Sequence, residues 1–271
     1  MSPAPRRVVG VLNVVELNGR APDVAELHRL VTIDYGHYTS MQVRDGRVRG
    51  LALHLARLAD GAEELFGHRI GVAEEHRLLT LVRHALGPAR DASVRVTLVP
   101  GPEMDSPPDV LVSVSGPASD APGPGLRLQT VGYARDLPEH KHRGTFMLNY
   151  HLREARLAGF DDRVFAGPDG TVSEGTSWNL ALWDGERVVW PAAPMLKGVS
   201  MVLLQIAMSM NGTPWTLRPV AAAELTSFAG AATVNSRGIR DVASIDEVPL
   251  VDHRLAKILT ETWNEVPWDE L

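Results

Sequence analysis

Cysteine is absent from this chain of 271 residues, and lysine is nearly so. The first absence rules out disulfides, cysteine nucleophiles and thiolate metal sites, and it fits a cytoplasmic protein. The second leaves only Lys141, Lys197 and Lys257 among 27 basic residues, so 27 − 3 = 24 are arginines. Any chemistry that needs a lysine amine therefore has three candidates. The arginines are scattered and the net charge is −6, so the basic face or tail of a nucleic-acid binder is missing. No apolar run has the length of a membrane span, and the two arginines in Met1–Arg7 are not followed by the apolar stretch of a signal peptide. His-Glu-x-x-His, Gly-x-Gly-x-x-Gly and Walker-type runs are also missing, which argues against a metal site. Ser115 and Ser177 stand in no nucleophile-elbow context.

What remains is a chain with 44% hydrophobic residues, enough for one large core or two smaller ones. Residues 8–16 read as a buried strand ended by Gly19 and Pro22. Residues 38–44 read as another, with Asp45-Gly46 as a hairpin turn. Leu51, Leu55, Leu58, Ala62, Leu65 and Phe66 fall at helical spacing, and a second helix spans about 72–86. Residues 93–100 alternate in polarity as a half-buried strand does, and 109–115 pairs with it. The Pro- and Gly-rich stretch 116–125 fits inside no element. It places a small N-terminal domain at 1–118, a linker at 119–125 and a larger domain at 126–271. That second part begins with a strand at 126–133 and a helix at about 147–159. Two hairpins follow, turning at Asp169-Gly170 and Asp184-Gly185. A helix opens at Gly198, short strands lie near 215–218 and 231–235, and Asp252 caps a last helix.

Five stretches carry chemistry. They are His54-Leu55-Ala56-Arg57-Leu58; Lys141 within Glu139–Phe146; Glu154-Ala155 thirteen residues on, with Gly159; Gly170–Gly175 with Asn179; and Leu196-Lys197-Gly198-Val199-Ser200. In this order and at this spacing, from about Tyr38 to Asp246, the chain resembles the class IV aminotransferases. These pyridoxal-phosphate enzymes include branched-chain aminotransferase, D-amino-acid aminotransferase and aminodeoxychorismate lyase. The resemblance implies an α/β fold of type IV in two domains, pyridoxal 5'-phosphate between them, and a homodimer with the site near its interface.

It also implies roles. Lys141 matches the lysine that holds the cofactor as a Schiff base and moves a proton at the substrate Cα. Glu174 matches the carboxylate that keeps the ring nitrogen protonated. Arg57 resembles the phosphate arginine, whose guanidinium grips oxygens in a fork. The helix start at Gly198, Val199 and Ser200 offers free N–H groups to a phosphate. Asn235 and Ser236 stand where the family supplies further phosphate contacts. Tyr38 falls near a tyrosine on the substrate side of the ring, and is equally well an ordinary strand aromatic. Arg95, Arg237 and Arg240 are candidates for a substrate carboxylate, in competition with many surface arginines. Lys197 reads as structural and Lys257 as solvated.

The departures concern the substrate. Branched-chain members carry tyrosine where Phe146 stands, and D-amino-acid members carry arginine where Leu98 stands. Gly238-Ile239-Arg240-Asp241 replaces a Glu-x-Thr-Pro-like run. The expected activity is amino transfer between an amino acid or amine and a 2-oxo acid. The alternatives are elimination of pyruvate, as in the lyase, or a family member that binds a ligand without catalysis.

Overall fold

The computed structural model describes residues 13–103, 106–119 and 123–271. Strand β1 (Val14–Leu17) is followed by helix α1 (Val24–Thr32), β2 (His37–Val43), β3 (Arg47–Val48), α2 (Leu51–Phe66), α3 (Val72–Leu86), β4 (Ala92–Val99) and β5 (Asp109–Ser115). Then come β6 (Leu126–Gly132), α4 (Phe146–Leu157), β7 (Asp162–Ala166), β8 (Val172–Gly175), β9 (Asn179–Trp183), β10 (Val188–Pro191), α5 (Val199–Asn211) and β11 (Trp215–Arg218). The chain closes with β12 (Gly230–Asn235), β13 (Gly238–Ile245), β14 (Val248–Pro249), α6 (Arg254–Glu265) and β15 (Asp269–Glu270).

Two sheets organise the molecule. The first runs β1-β5-β4-β2, antiparallel throughout. Its strands alternate, so Val94, Val96, Leu98, Val110, Val112 and Val114 form one face. That face packs on Leu58 and Ala62 of α2 and Leu78 and Val82 of α3. Part of the other face, Leu17, Val99 and Leu111, packs on Leu30 of α1. The second sheet closes on itself in the order β9-β12-β13-β6-β7-β8, with β10 and β11 extending from β9. The pair that closes the ring is Glu174 with Asn179. Leu204 and Met208 of α5 and Leu255 and Leu259 of α6 pack together with Trp190 and Val234 of this sheet. Burying side chains of this size contributes about 1.5–3 kcal/mol each.

The lysine-bearing segment joins the two sheets. Tyr38 N–H donates to Lys141 O at 2.9 Å and Arg143 N–H to Gly36 O at 2.8 Å, so residues 141–143 add a short pairing to the end of β2. Gly36 has φ +128°, and a Cβ there would lie 2.3 Å from Leu98 O, so the close approach needs glycine. The C-terminus also crosses over: β15 pairs with β3, and the Asp269 carboxylate accepts Leu51 N–H at 2.9 Å. That contact caps α2, whose own N-cap, Gly50, has no side chain to do so.

Most expected elements are found. The 45–46 turn has both residues at positive φ, as a tight hairpin requires. The expected strand at 8–16 is seen only as β1, its first part lying outside the described residues. Helix α1 was not expected, although Asp23 and Glu26 form a capping box at its start. Strand β13 was also missed. At α6 the flanking residue is His253, and Asp252 accepts Arg254 N–H from one position further out than expected. No described helix is long and apolar enough to cross a membrane.

Candidate active site

Between the two sheets lies a cavity of about 490 Å³. Sheet one contributes Tyr38, Ser40 and Arg95, and α2 contributes His54 and Arg57. Lys141 enters from the joining segment. The closed sheet contributes Glu174, Asn179, Asn235 and Ser236, and the start of α5 contributes Gly198, Val199 and Ser200. Residues from both halves of the sequence thus meet at one place.

Lys141 is the lysine of this cavity. Burial, helped by the charges of Arg57 and Arg135, pulls its amine down from 10.5 to about 8. Its Nζ sits 5.1 Å from the centre of the Tyr38 ring. Neither of the other lysines lines the cavity. Lys197 contributes its backbone carbonyl, and Lys257 is 78% exposed beside Glu261 on α6.

Glu174 is buried, and burial raises its pKa against the opposing pull of Arg135. Arg135 Nη1 donates to Glu174 Oε1 at 3.0 Å, with both side chains under a tenth exposed. Arg135 is held in turn by the carbonyls of Pro138 (2.8 Å) and His140 (2.7 Å). Leu196 N–H also approaches Glu174 Oε1, at 3.4 Å. Sequence reasoning missed Arg135. It is one of many arginines and sits in an irregular stretch, and the only signal for it was that a buried carboxylate needs a cation.

Asn179 shapes the turn before α5. Its Nδ2 donates to Leu196 O at 2.8 Å and its Oδ1 accepts Gly198 N–H at 3.1 Å. A Cβ on Gly198 would lie 2.2 Å from that oxygen, so residue 198 must be glycine for the turn to close. Helix α5 has no side chain capping its N-terminus, so its first N–H groups face the cavity with a favourable helix dipole. Arg57 lies across from it. Burial lowers the guanidinium to about 10, and Nη2 donates to Lys197 O at 2.7 Å. Among the described residues no carboxylate lies within ion-pair distance of Arg57. Behind it His54 is buried and pushed down to about 3, its Nδ1 2.6 Å from Thr39 Oγ1. It stands there as a neutral ring.

Asn235 and Ser236 line the cavity beside Ser177, whose carbonyl accepts from Asn235 Nδ2 at 3.2 Å. Arg95 stacks on Tyr38 at 4.3 Å, and Arg237 lies at the exposed rim. Arg240 is the exception among the candidate site residues. Its side chain points away along β13 to Pro124 O, 2.8 Å, and lines a neighbouring groove. Phe146 is 74% exposed at the start of α4, and Leu98 is in the core of sheet one. No group of metal-ligating side chains exists among the described residues.

The cavity therefore holds Arg57, Arg95, Arg135, Arg237 and Lys141 against one carboxylate, Glu174. An excess of cations with an uncapped helix start suits a dianionic phosphate and a carboxylate-bearing substrate. A buried carboxylate at the far end suits a protonated ring nitrogen. These are the demands of pyridoxal phosphate, and the residues fit them.

Comparison with known proteins agrees. The family described as amino-transferase class IV matches residues 36–245. A hypothetical aminotransferase from Mycobacterium tuberculosis, in its PLP-bound form, superposes with a TM-score of 0.80 at 21% identity, over 94% of this chain and 98% of that one. A fold IV transaminase from Curtobacterium pusillum gives a TM-score of 0.75 at 22% identity, over 97% of this chain and 91% of that one. A proposed 4-amino-4-deoxychorismate lyase from Legionella pneumophila gives 0.76 at 19% identity, over 88% of this chain and 93% of that one. A search of curated proteins finds no match. At such identities the structures speak for the fold, and the match over residues 36–245 speaks for membership. This chain belongs to the class IV aminotransferase family of enzymes and has its fold type IV architecture.

Proposed function

We propose that the protein is a pyridoxal-phosphate-dependent aminotransferase that moves an amino group between an amino acid or amine and a 2-oxo acid. The observation that carries this reading is the pairing, in one cavity, of a desolvated lysine amine with a buried, arginine-held carboxylate. When bound, pyridoxal phosphate supplies an aldehyde for a lysine amine and a ring that accepts electrons from a substrate Cα. Lys141 is the residue that holds it. As a free amine Lys141 would accept the proton from the substrate Cα and, as ammonium, would give it up again. Glu174 keeps a proton on the ring nitrogen, and Arg135 fixes the orientation of that carboxylate. Arg57, the N–H groups of Val199 and Ser200, and the side chains of Ser200, Asn235 and Ser236 bind the phosphate. Tyr38 and Arg95 stand on the substrate side.

In the same reading, 119–125 links a small domain to a larger one, and the protein works as a cytoplasmic homodimer. The lack of cysteine supports the location. Exposed Phe146, Tyr150 and Leu157, spaced along α4 next to the lysine segment, support a partner surface.

Half-reactions test the activity. An amino donor added alone should bleach the visible cofactor band, and a 2-oxo acid should restore it. Bleaching with release of pyruvate and no need for an acceptor would favour the second reading, a lyase, to which the Legionella neighbour also points. A preparation that takes up no pyridoxal phosphate would contradict both.

A further inference from the structure

One face of sheet one changes character where it meets the cavity. Register places Ser40 beside Arg95 and Arg95 beside Ser113; one step on, Gln42 lies beside Ser93 and Ser93 beside Ser115. Alternation puts these six on the same face as Val99 and Leu111. Under α1 that face is apolar; along the cavity these six positions are polar, four of them serine, and all six line the cavity. The reverse face of β4 and β5 is apolar, and that of β2 is apolar at Met41 and Val43 with buried His37 and Thr39 further along. In β4 and β5 the polarity thus belongs to the wall side.

The wall has hydrogen-bonding capacity to spare. Arg95 Nε reaches Ser40 Oγ at 3.3 Å, and among the described residues Arg95 has no carboxylate within ion-pair distance. The Gln42 carboxamide oxygen accepts from Ser93 Oγ (3.0 Å), Ala118 N–H (2.9 Å) and Arg44 Nη1 (3.2 Å), and its amide N–H groups have no acceptor among the described residues. The Ser113 and Ser115 hydroxyls likewise have no partner among them. An aliphatic group placed here would strip water from these donors and return nothing, whereas an oxygen would replace that water.

We propose that this wall receives the variable group of the substrate, and that this group is oxygen-bearing (hydroxyl, carboxamide or carboxylate) and not branched aliphatic. The proposal rests on the aminotransferase reading and adds the class of substrate to it.

The test compares partners of equal shape, threonine with valine and asparagine with leucine, in both enantiomers, on the protein as purified with its cofactor. Relative kcat/KM is one readout. The second is isothermal titration with the α-methyl analogues, which lack the Cα proton and report binding without turnover. The oxygen-bearing member of each pair should win by about tenfold or more. Ser40→Val with Ser113→Val, both acceptable in strands, should move the ratio about tenfold towards the aliphatic member. A fold defect would lower both members together and leave the ratio alone. Equal or tighter binding of valine and leucine, or a ratio unmoved by the double variant, overturns the proposal. Absence of a cofactor band from the purified protein would instead count against the aminotransferase reading, and the binding ratio would still be read.

Discussion

The two ends of the cavity are built differently. At the closed-sheet end, Glu174, Asn179 and the turn 196–198 are locked by one another, by Arg135 and by backbone groups, and the closing pair of the ring is itself Glu174 with Asn179. At the sheet-one end, Ser40, Arg95 and Ser113 stand on strand faces with few partners of their own. A group whose chemistry never changes can be gripped by an interlocked frame. A variable group is met by side chains that can be exchanged without disturbing the strand beneath.

The largest effect should come from Lys141→Ala. It removes the amine that both ends depend on, and turnover should vanish from the background of any coupled assay. Arg135→Leu should follow. It leaves Glu174 buried without its cation, so stability should fall by about 3–5 kcal/mol in denaturant titration. The variant should recover as pH falls and the carboxylate takes up a proton. A loss under about 1 kcal/mol would show that the frame at this end does not depend on the pair.

Third, Arg57→Ala should weaken cofactor affinity by about 10- to 100-fold, since hydrogen bonds from a charged donor contribute about 1.5–3 kcal/mol. Unchanged affinity would mean that the start of α5 alone grips the phosphate. Asn179→Ala should cost about 1–2 kcal/mol by freeing Leu196 O and Gly198 N–H. It should also loosen amide exchange protection at the start of α5 while sparing sheet one.

The smallest effect is that of pH. With the Lys141 amine at about 8, its neutral fraction climbs about fivefold from pH 7 to pH 8 and then levels off. Capture of pyridoxal phosphate by the cofactor-free protein should follow that curve. A rate still climbing tenfold per pH unit at pH 9 would place the amine in solvent. Because the folded value lies below the unfolded 10.5, the unfolded chain binds more protons between about 8 and 10.5. The contribution of this group to stability therefore rises as pH rises through that window.

The same contrast explains what could be read in advance. Lys141, Glu174, Arg57 and the Gly198 turn could be singled out by residue type and spacing, and the structure brings them to one cavity. Helices α2 and α3 were visible from their apolar period, and the 45–46 turn from its residues. Arg135 was invisible because its task is set by a carboxylate 39 positions away. Arg240 was misplaced because its guanidinium runs to Pro124 O beside the neighbouring groove, and β13 itself had not been foreseen. Ring closure could not be read either, since it depends on a single cross-strand pair. The serine wall needed the register of three strands before its residues became neighbours.

The most direct test of the central claim is chemical. The protein is mixed with pyridoxal phosphate, reduced with borohydride, digested and mapped by mass spectrometry. The account predicts one pyridoxyl group, on Lys141, and none on Lys197 or Lys257. Modification of either other lysine with Lys141 untouched, or no modification at all, would contradict it.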